Sequence, residues 1–122
     1  HIYVRQGRYT KAQLDKTGEF TVSVPLGEAD AEINRICGWQ SGFDIDKVKE
    51  AGLSLETPRT GTVSGIKEYP LTFECRVIYA QKQTADLIEE NILERYYMPD
   101  EDQNRDLHTM YIGEIIDSYI IE

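Results

Sequence analysis

Residues 37–47 combine residue types that suit a planar, anionic ligand. Glycines such as Gly42 let a ligand approach the backbone closely. Ser41 offers a hydroxyl group, the two aromatic side chains offer flat surfaces, and Lys47 offers a positive charge. A loop of this composition between two helices is a candidate ligand site. The alternative is a glycine-rich connection between helices in which Trp39 is buried.

Residues 5–11 form a second candidate site, suited to an anion. They contain three of the 13 Lys and Arg residues in a chain whose net charge is −9. Thr10 is predicted to be a helix N-cap, with Gln13 completing a capping box. A helix N-terminus flanked by guanidinium groups is a site for phosphate. In the alternative, Thr10 only caps the helix and the arginines face solvent.

The third candidate is His108, near the start of the last predicted strand. Met110 and Ile112 share its face, while Thr109 and Tyr111 point the other way. A histidine at the end of a strand can donate to a ligand or exchange a proton near neutral pH. The alternative is a structural histidine with its hydrogen bonds satisfied inside the protein.

Composition narrows the function classes. The 122 residues suit a single domain, 1–122, and no apolar run reaches the roughly 18–20 residues of a membrane span. The negative net charge argues against nucleic acid as a partner. Cys37 and Cys75 have no CxxC spacing, and His1 is the only other histidine, so no metal site is predicted. Reduced cysteines and no visible export signal indicate the cytoplasm.

The elements that would position these segments are mainly strands. The glycines at 18 and 52 should end helices, and Asp44 should cap the third helix. A Rossmann fold is disfavoured because no GxGxxG turn joins a strand to a helix. We therefore predict an antiparallel β-barrel with short helical insertions. The predicted strands are 2–5, 19–25, 62–66, 71–81 and a bent or bulged 107–121; the predicted helices are 10–18, 28–36, 44–52 and 85–95, with a polar loop at 97–106.

In this order and at this spacing, the segments resemble the flavin reductase-like family, the FMN-binding split barrels that include the flavoredoxins. The resemblance covers nearly all of the chain. It depends on Arg8-Tyr9-Thr10, the strand at 18–22, Cys37-Gly38, Ser41-Gly42, Asp46-Lys47, the strand at 73–77, and His108 followed by Gly113-Glu114-Ile115.

The resemblance implies a six-stranded antiparallel split β-barrel, usually a homodimer, with FMN near the subunit interface. It implies an oxidoreductase that passes electrons from NADH or NADPH through the flavin. The alternative is a flavoredoxin-like electron-transfer protein whose redox protein partner docks on the acidic residues 100–102. The family's N-terminal strand, with an Asn/Thr/Ser-rich motif against the flavin ring, is absent, so we expect an N-terminally incomplete chain.

Carried over by position, the resemblance also implies roles for particular residues. His108 would act catalytically, beside the nicotinamide or other electron donor. Tyr111 is a looser candidate for the same pocket. The FMN-binding residues would be Arg8, Tyr9, Thr10 and Lys11 around the phosphate, and Ser41, Gly42 and Lys47 along the ribityl chain and ring.

Overall fold

The computed structural model describes residues 1–122 and consists mainly of antiparallel β-structure, which confirms the predicted fold class. Four strands form a curled sheet, a half-barrel, in the order β1-β6-β5-β2. Two short strands, β3 and β4, pair separately. The strands are β1 Ile2–Arg5, β2 Glu19–Val24, β3 Leu55–Glu56, β4 Gly65–Ile66, β5 Leu71–Lys82 and β6 His108–Ile120.

Short helices lie in the connections between strands. Helix α1 follows β1, helices α2 and α3 follow β2, and a 3₁₀ turn with helix α4 separates β5 from β6. These helices are α1 Tyr9–Thr17, α2 Ala31–Trp39, α3 Lys47–Glu50 and α4 Glu90–Tyr96, and the 3₁₀ turn is Ala85–Leu87. The helical insertions predicted from the sequence are thus present.

The long hairpin of β5 and β6 is the centre of the sheet. Its register runs from the pair Leu71–Ile120 to the pair Lys82–Thr109, with irregularities between Glu74 and Cys75 and beyond Val77. A bulge adds a residue to one strand and changes which side chains face inward. The predicted bend of the last strand therefore has a physical basis.

One of these irregularities overturns the predicted alternation, but only at the end of β5. Odd-numbered residues from Leu71 to Tyr79 were expected to share one face. Phe73 and Cys75 do line the same apolar cavity, whereas Tyr79 follows the extra residue of the second irregularity and is exposed. Thr72 and Glu74, on the opposite face, are also buried. Elsewhere Gly113 of β6 allows close packing, since a Cβ there would lie 2.6 Å from the ring of Phe20. The apolar core consists of Leu14, Ile33, Ile36, Cys75, Leu107, Tyr111, Tyr119 and Ile121.

Helix α1 begins earlier than the sequence predicted. Its N-cap is Arg8 in an extended conformation, with no side-chain capping bond, so the assignment of Thr10 as N-cap is wrong. The predicted end is confirmed: Gly18 has a φ of 67°, and its amide donates to the carbonyl of Leu14. Only a residue tolerant of the left-handed region fits there easily.

Helix α2 is shifted towards the C-terminus relative to the predicted helix at 28–36. Asp30 caps it by accepting from the amides of Glu32 and Ile33, and the helix continues to Trp39. Helix α3 is capped by Asp46, whose side chain accepts from the amide of Lys49; the expected cap, Asp44, lies in the preceding turn.

Candidate functional site

A cavity of about 310 Å³ lies where β1 ends, α1 begins, α2 ends and β6 begins. It is lined by residues from three distant parts of the chain. They include every site residue predicted from the sequence except Lys11 and Tyr111. The lining residues are Tyr3, Val4, Arg5, Arg8, Tyr9, Thr10, Cys37, Gly38, Gln40, Ser41, Gly42, Lys47 and His108.

The N-terminus of α1 opens into this cavity. The amides of Tyr9 and Thr10 begin the helix and have no backbone acceptor. Arg8 is exposed and takes part in none of the ion pairs of the structure. Free helical amides beside an unpaired guanidinium group attract an anion. The wall formed by α1 therefore has the character predicted for residues 5–11.

Gly42, in the turn between α2 and α3, packs directly against Tyr9 at the start of α1. A Cβ on Gly42 would overlap Cδ1 of Tyr9, so only glycine fits against this ring without displacing it. The ring of Tyr9 also packs edge-to-face on Phe43, with centroids 5.0 Å apart. Ser41 Oγ accepts from the amide of Phe43 at 3.2 Å, which turns the loop back towards α1.

The side chain of Lys47, the first residue of α3, reaches the end of α2. Its Nζ donates to the carbonyl of Cys37 at 2.6 Å, near the C-terminus of α2, where carbonyls lack helical partners and cations are favoured. Trp39 ends this helix and is 86% exposed, so the alternative in which Trp39 is buried is wrong. Cys37 and Gly38 belong to the last turn of α2 rather than to a loop.

His108 begins β6 at the opposite wall and is half-buried. Its Nδ1 lies 2.8 Å from the hydroxyl of Tyr97, and its amide donates to Oε1 of Gln83 at 3.0 Å. Burial lowers the pKa of His108, and the positive charges of Arg5 and Arg8 lower it further. At pH 7 the imidazole is therefore mainly neutral.

Lys11 and Tyr111 lie outside the cavity lining and contact each other through Asp15. Lys11 Nζ donates to Asp15 Oδ2 at 2.5 Å, and the buried Tyr111 hydroxyl donates to Oδ1 at 2.8 Å. The hydrogen bond to Asp15 raises the pKa of Lys11. This cluster holds α1 against β6, and it thereby orients the helix whose N-terminus faces the cavity.

Sequence reasoning missed two residues of this region. Arg5 was recognised only as part of a basic segment, and Tyr97 was placed in a polar loop. In the structure Arg5 donates to the carbonyl of Tyr96 at 3.0 Å, and its guanidinium lies 4.9 Å from the ring centroid of Tyr97. No local sequence signal predicts either contact, because Arg5 is far from its partners along the chain; the residues joined by the hydrogen bond are 91 positions apart.

A second cavity of about 520 Å³ adjoins the first at Tyr9, Gly42 and Lys47.

Comparison with known proteins decides the family. Residues 2–122 match the family model described as the flavin reductase like domain. The chain belongs to this family. An uncharacterized protein of Archaeoglobus fulgidus is 27% identical to this chain over 115 residues, which cover 94% of this chain and 52% of the relative.

Solved structures show the same fold. The flavoredoxin of Desulfovibrio vulgaris (Miyazaki F) superposes with a TM-score of 0.67 at 24% identity, covering 98% of this chain and 51% of that one. Nitrilotriacetate monooxygenase component B from Bacillus cereus gives a TM-score of 0.69 at 18% identity, covering 99% and 54%. The flavin reductase-like chain thus spans about half the length of these relatives. None of its helices has the length and apolar character that a membrane span requires.

Proposed function

We propose that this flavin reductase-like domain binds FMN in the cavity between α1, α2 and β6. We further propose that it acts as an oxidoreductase that uses NADH or NADPH as the electron donor. The main observation in support is that one cavity brings together three segments far apart in the sequence. These are Arg8 with the start of α1, the turn from Ser41 to Lys47, and His108.

The residues present fit FMN, which contains a phosphate, a polyol chain and a planar ring. The phosphate suits Arg8 and the free amides at the start of α1. The hydroxyl of Ser41 and the backbone near Gly42 suit the ribityl chain or the polar edge of the ring. The cavity lies at the lower end of the roughly 300–1,000 Å³ typical of ligand sites, and the adjoining cavity extends the space.

When bound, FMN would supply the redox chemistry, while the protein provides binding, orientation and electrostatics. Arg8 contributes a positive charge that is not compensated by a protein carboxylate. His108 contributes a neutral polar group on the wall beside β1, and in the proposal this wall faces the nicotinamide. A neutral imidazole can donate a hydrogen bond there without repelling a cationic ring.

Titration of FMN and riboflavin by flavin fluorescence tests the binding site. Arg8→Ala should weaken FMN binding about 10- to 100-fold, the range for losing a charge-assisted hydrogen bond of roughly 1.5–3 kcal/mol. Riboflavin, which lacks the phosphate, should bind equally well to both proteins. Arg35→Ala is the matched control, because Arg35 pairs with Glu32 outside the cavity lining. Equal effects of the two variants on FMN binding would refute the phosphate site.

A second candidate function is FMN-dependent electron transfer to a protein partner. The observation that favours it is the position of Asp100, Glu101 and Asp102, which are all exposed and follow soon after Tyr97, the residue in contact with His108. A basic partner docking on this acidic turn would approach the His108 side of the cavity. Electron transfer to a basic acceptor protein should then slow as ionic strength rises, and a rate independent of salt would eliminate this candidate.

We also propose that the domain acts as a cytoplasmic homodimer. Ile115 is 59% exposed on the sheet, beside an apolar cavity of about 180 Å³ that also includes Val22 and Phe73. An uncovered apolar face of this kind supports association of two copies. Both cysteines are free, which fits a reducing compartment. Sedimentation equilibrium measures the association, and a monomer at all concentrations would contradict it.

A further inference from the structure

Tyr97 is held against His108 from three directions. Its hydroxyl lies 2.8 Å from Nδ1, and the two rings meet edge-to-face with centroids 5.6 Å apart. The guanidinium of Arg5 lies over the tyrosine ring at 4.9 Å. Arg105 Nη1 donates to the Tyr97 carbonyl at 2.7 Å. The tyrosine is therefore fixed by its ring, its backbone and its hydroxyl, although it lies in the irregular segment after α4.

The hydrogen bond links the direction of the Tyr97 hydroxyl to the tautomer of His108. The hydroxyl has Nδ1 as its one hydrogen-bonding partner in the protein, so no other protein acceptor competes with that nitrogen for the hydroxyl proton. When the hydroxyl donates, Nδ1 is the acceptor and the imidazole proton lies on Nε2. No buried polar side-chain atom lacks a hydrogen bond, so Nε2, which has no protein partner, must reach solvent. His108 lines the cavity.

We propose that Tyr97 is a positioning residue of the site. Its hydroxyl holds His108 in the tautomer with the proton on Nε2, so that Nε2–H donates to a carbonyl oxygen of a ligand in the cavity. The role of this hydrogen bond in turnover rests on the proposed function, whereas the tautomer does not depend on any ligand.

The charged groups around His108 agree with this assignment. Burial has the largest effect on the pKa of His108, and it favours the neutral ring. The positive charges of Arg5 and Arg8 also lower this pKa, while Asp106 raises it. Asp106 is also engaged elsewhere, since its Oδ1 accepts from the amide of Gly7 at 2.7 Å. The neutral imidazole therefore has a single donor group, and the Tyr97 hydroxyl determines where it points.

Long-range ¹H–¹⁵N correlation spectra of ¹⁵N-labelled protein without flavin test the tautomer directly. The chain has only two histidines, so His108 is assigned by comparison with His108→Gln. The wild type should show the pattern of the Nε2–H tautomer, and Tyr97→Phe should show a mixture of the two tautomers. Tyr96→Phe is the matched control, because Tyr96 is 53% exposed and the hydrogen bond and ring contact of the His108 side chain are both with Tyr97. An Nδ1–H tautomer in the wild type would overturn the proposal even if Tyr97→Phe failed to fold.

Steady-state kinetics of the FMN-loaded protein tests the consequence. Tyr97→Phe should raise KM for the nicotinamide nucleotide about fivefold, the effect of weakening one hydrogen bond worth roughly 1 kcal/mol, and leave the Kd for FMN unchanged. An unchanged KM together with an unchanged His108 spectrum would overturn the positioning role. Absence of FMN binding by the wild type would refute the proposed function instead, and it would leave the tautomer measurement valid.

Discussion

Replacing Glu74 with glutamine should destabilise the protein strongly at neutral pH. Glu74 is 1% exposed, yet its carboxylate is fully hydrogen-bonded. It accepts from the amides of Arg59 at 2.7 Å, Thr60 at 3.0 Å and Gly61 at 2.6 Å, and from the hydroxyl of Tyr119 at 2.5 Å. A glutamine places an NH₂ group where one oxygen stood, so at least one of these donors would face another donor.

The size of the effect follows from the pKa of this carboxyl group. Burial alone would raise the pKa of Glu74, but the Tyr119 hydroxyl and the three amides outweigh it and lower the pKa from 4.5 to about 2. That difference is equivalent to about 3 kcal/mol of folding free energy at neutral pH. Because the pKa is lower in the folded state, the stabilisation is complete above about pH 5.5 and is lost as the pH falls from there towards 2.

Urea unfolding followed by far-ultraviolet circular dichroism measures this prediction, since the single tryptophan, Trp39, is already 86% exposed and is a poor fluorescence reporter. At pH 7, Glu74→Gln should lower the free energy of unfolding by about 3 kcal/mol, and the gap to the wild type should narrow steadily at lower pH. Glu114→Gln is the control: Glu114 is 54% exposed, so losing its ion pair with Arg76 should cost less than about 1 kcal/mol. Equal losses of unfolding free energy in the two variants would refute the reasoning. So would a loss for Glu74→Gln that is the same at pH 7 and pH 3.

The remaining predictions concern the cavity wall and helix α2. Gly42→Ala should force Tyr9 to move, raise the Kd for FMN about tenfold and lower the free energy of unfolding by about 1–3 kcal/mol. Gly27→Ala, with nothing within 4 Å of its Cβ and outside the cavity lining, should bind FMN normally; flavin titration and urea unfolding compare the two variants. Asp30→Ala should cost about 1 kcal/mol in urea unfolding through loss of the α2 cap, and Asp30→Asn, which keeps the acceptor, should cost almost nothing. Equal losses for alanine and asparagine would contradict the capping role.

Much of the fold and of the cavity was predictable, because those features depend on local chemistry. Alternating apolar residues in 19–25 identified β2, and Gly18 identified the end of α1, since its positive φ is a local requirement. The segments that meet in the cavity were recognised from residue types such as Ser41 and His108. Their binding roles remain predictions, but their proximity is a property of the fold.

The start of α1 was misjudged because a long-range contact sets it. Thr10 has a favourable residue type for an N-cap, but the chain leaves β1 where the amide of Gln6 donates to the carbonyl of Leu107 and the amide of Gly7 donates to Asp106. These bonds fix the end of the strand, so the helix begins at Tyr9. Residue preference at a cap is worth about 1 kcal/mol and yields to such tertiary constraints.

Glu74 was hidden for a different reason. Glu74 lies on the face of β5 opposite Phe73, and from the alternation alone it would be taken for a surface carboxylate. That face is buried, as Thr72 and Tyr119 beside it also show, and no residue type in β5 signals its burial. The backbone amides that neutralise the cost of burial come from residues 59–61, outside any regular strand, so they too leave no periodic signal.

The positions of Glu74 and His108 along the hairpin separate stability from binding. Glu74 pairs with Asp117 in the β5–β6 register, nine residues from His108 along β6, which at about 3.3 Å per residue is on the order of 25–30 Å. Substitutions that far apart, with no shared partner, act independently. Glu74→Gln should therefore leave the Kd for FMN unchanged wherever the variant is folded. A change in that Kd would mean that the two ends of the hairpin are coupled, and the cavity would then have to be treated as part of one cooperative unit with the buried carboxylate.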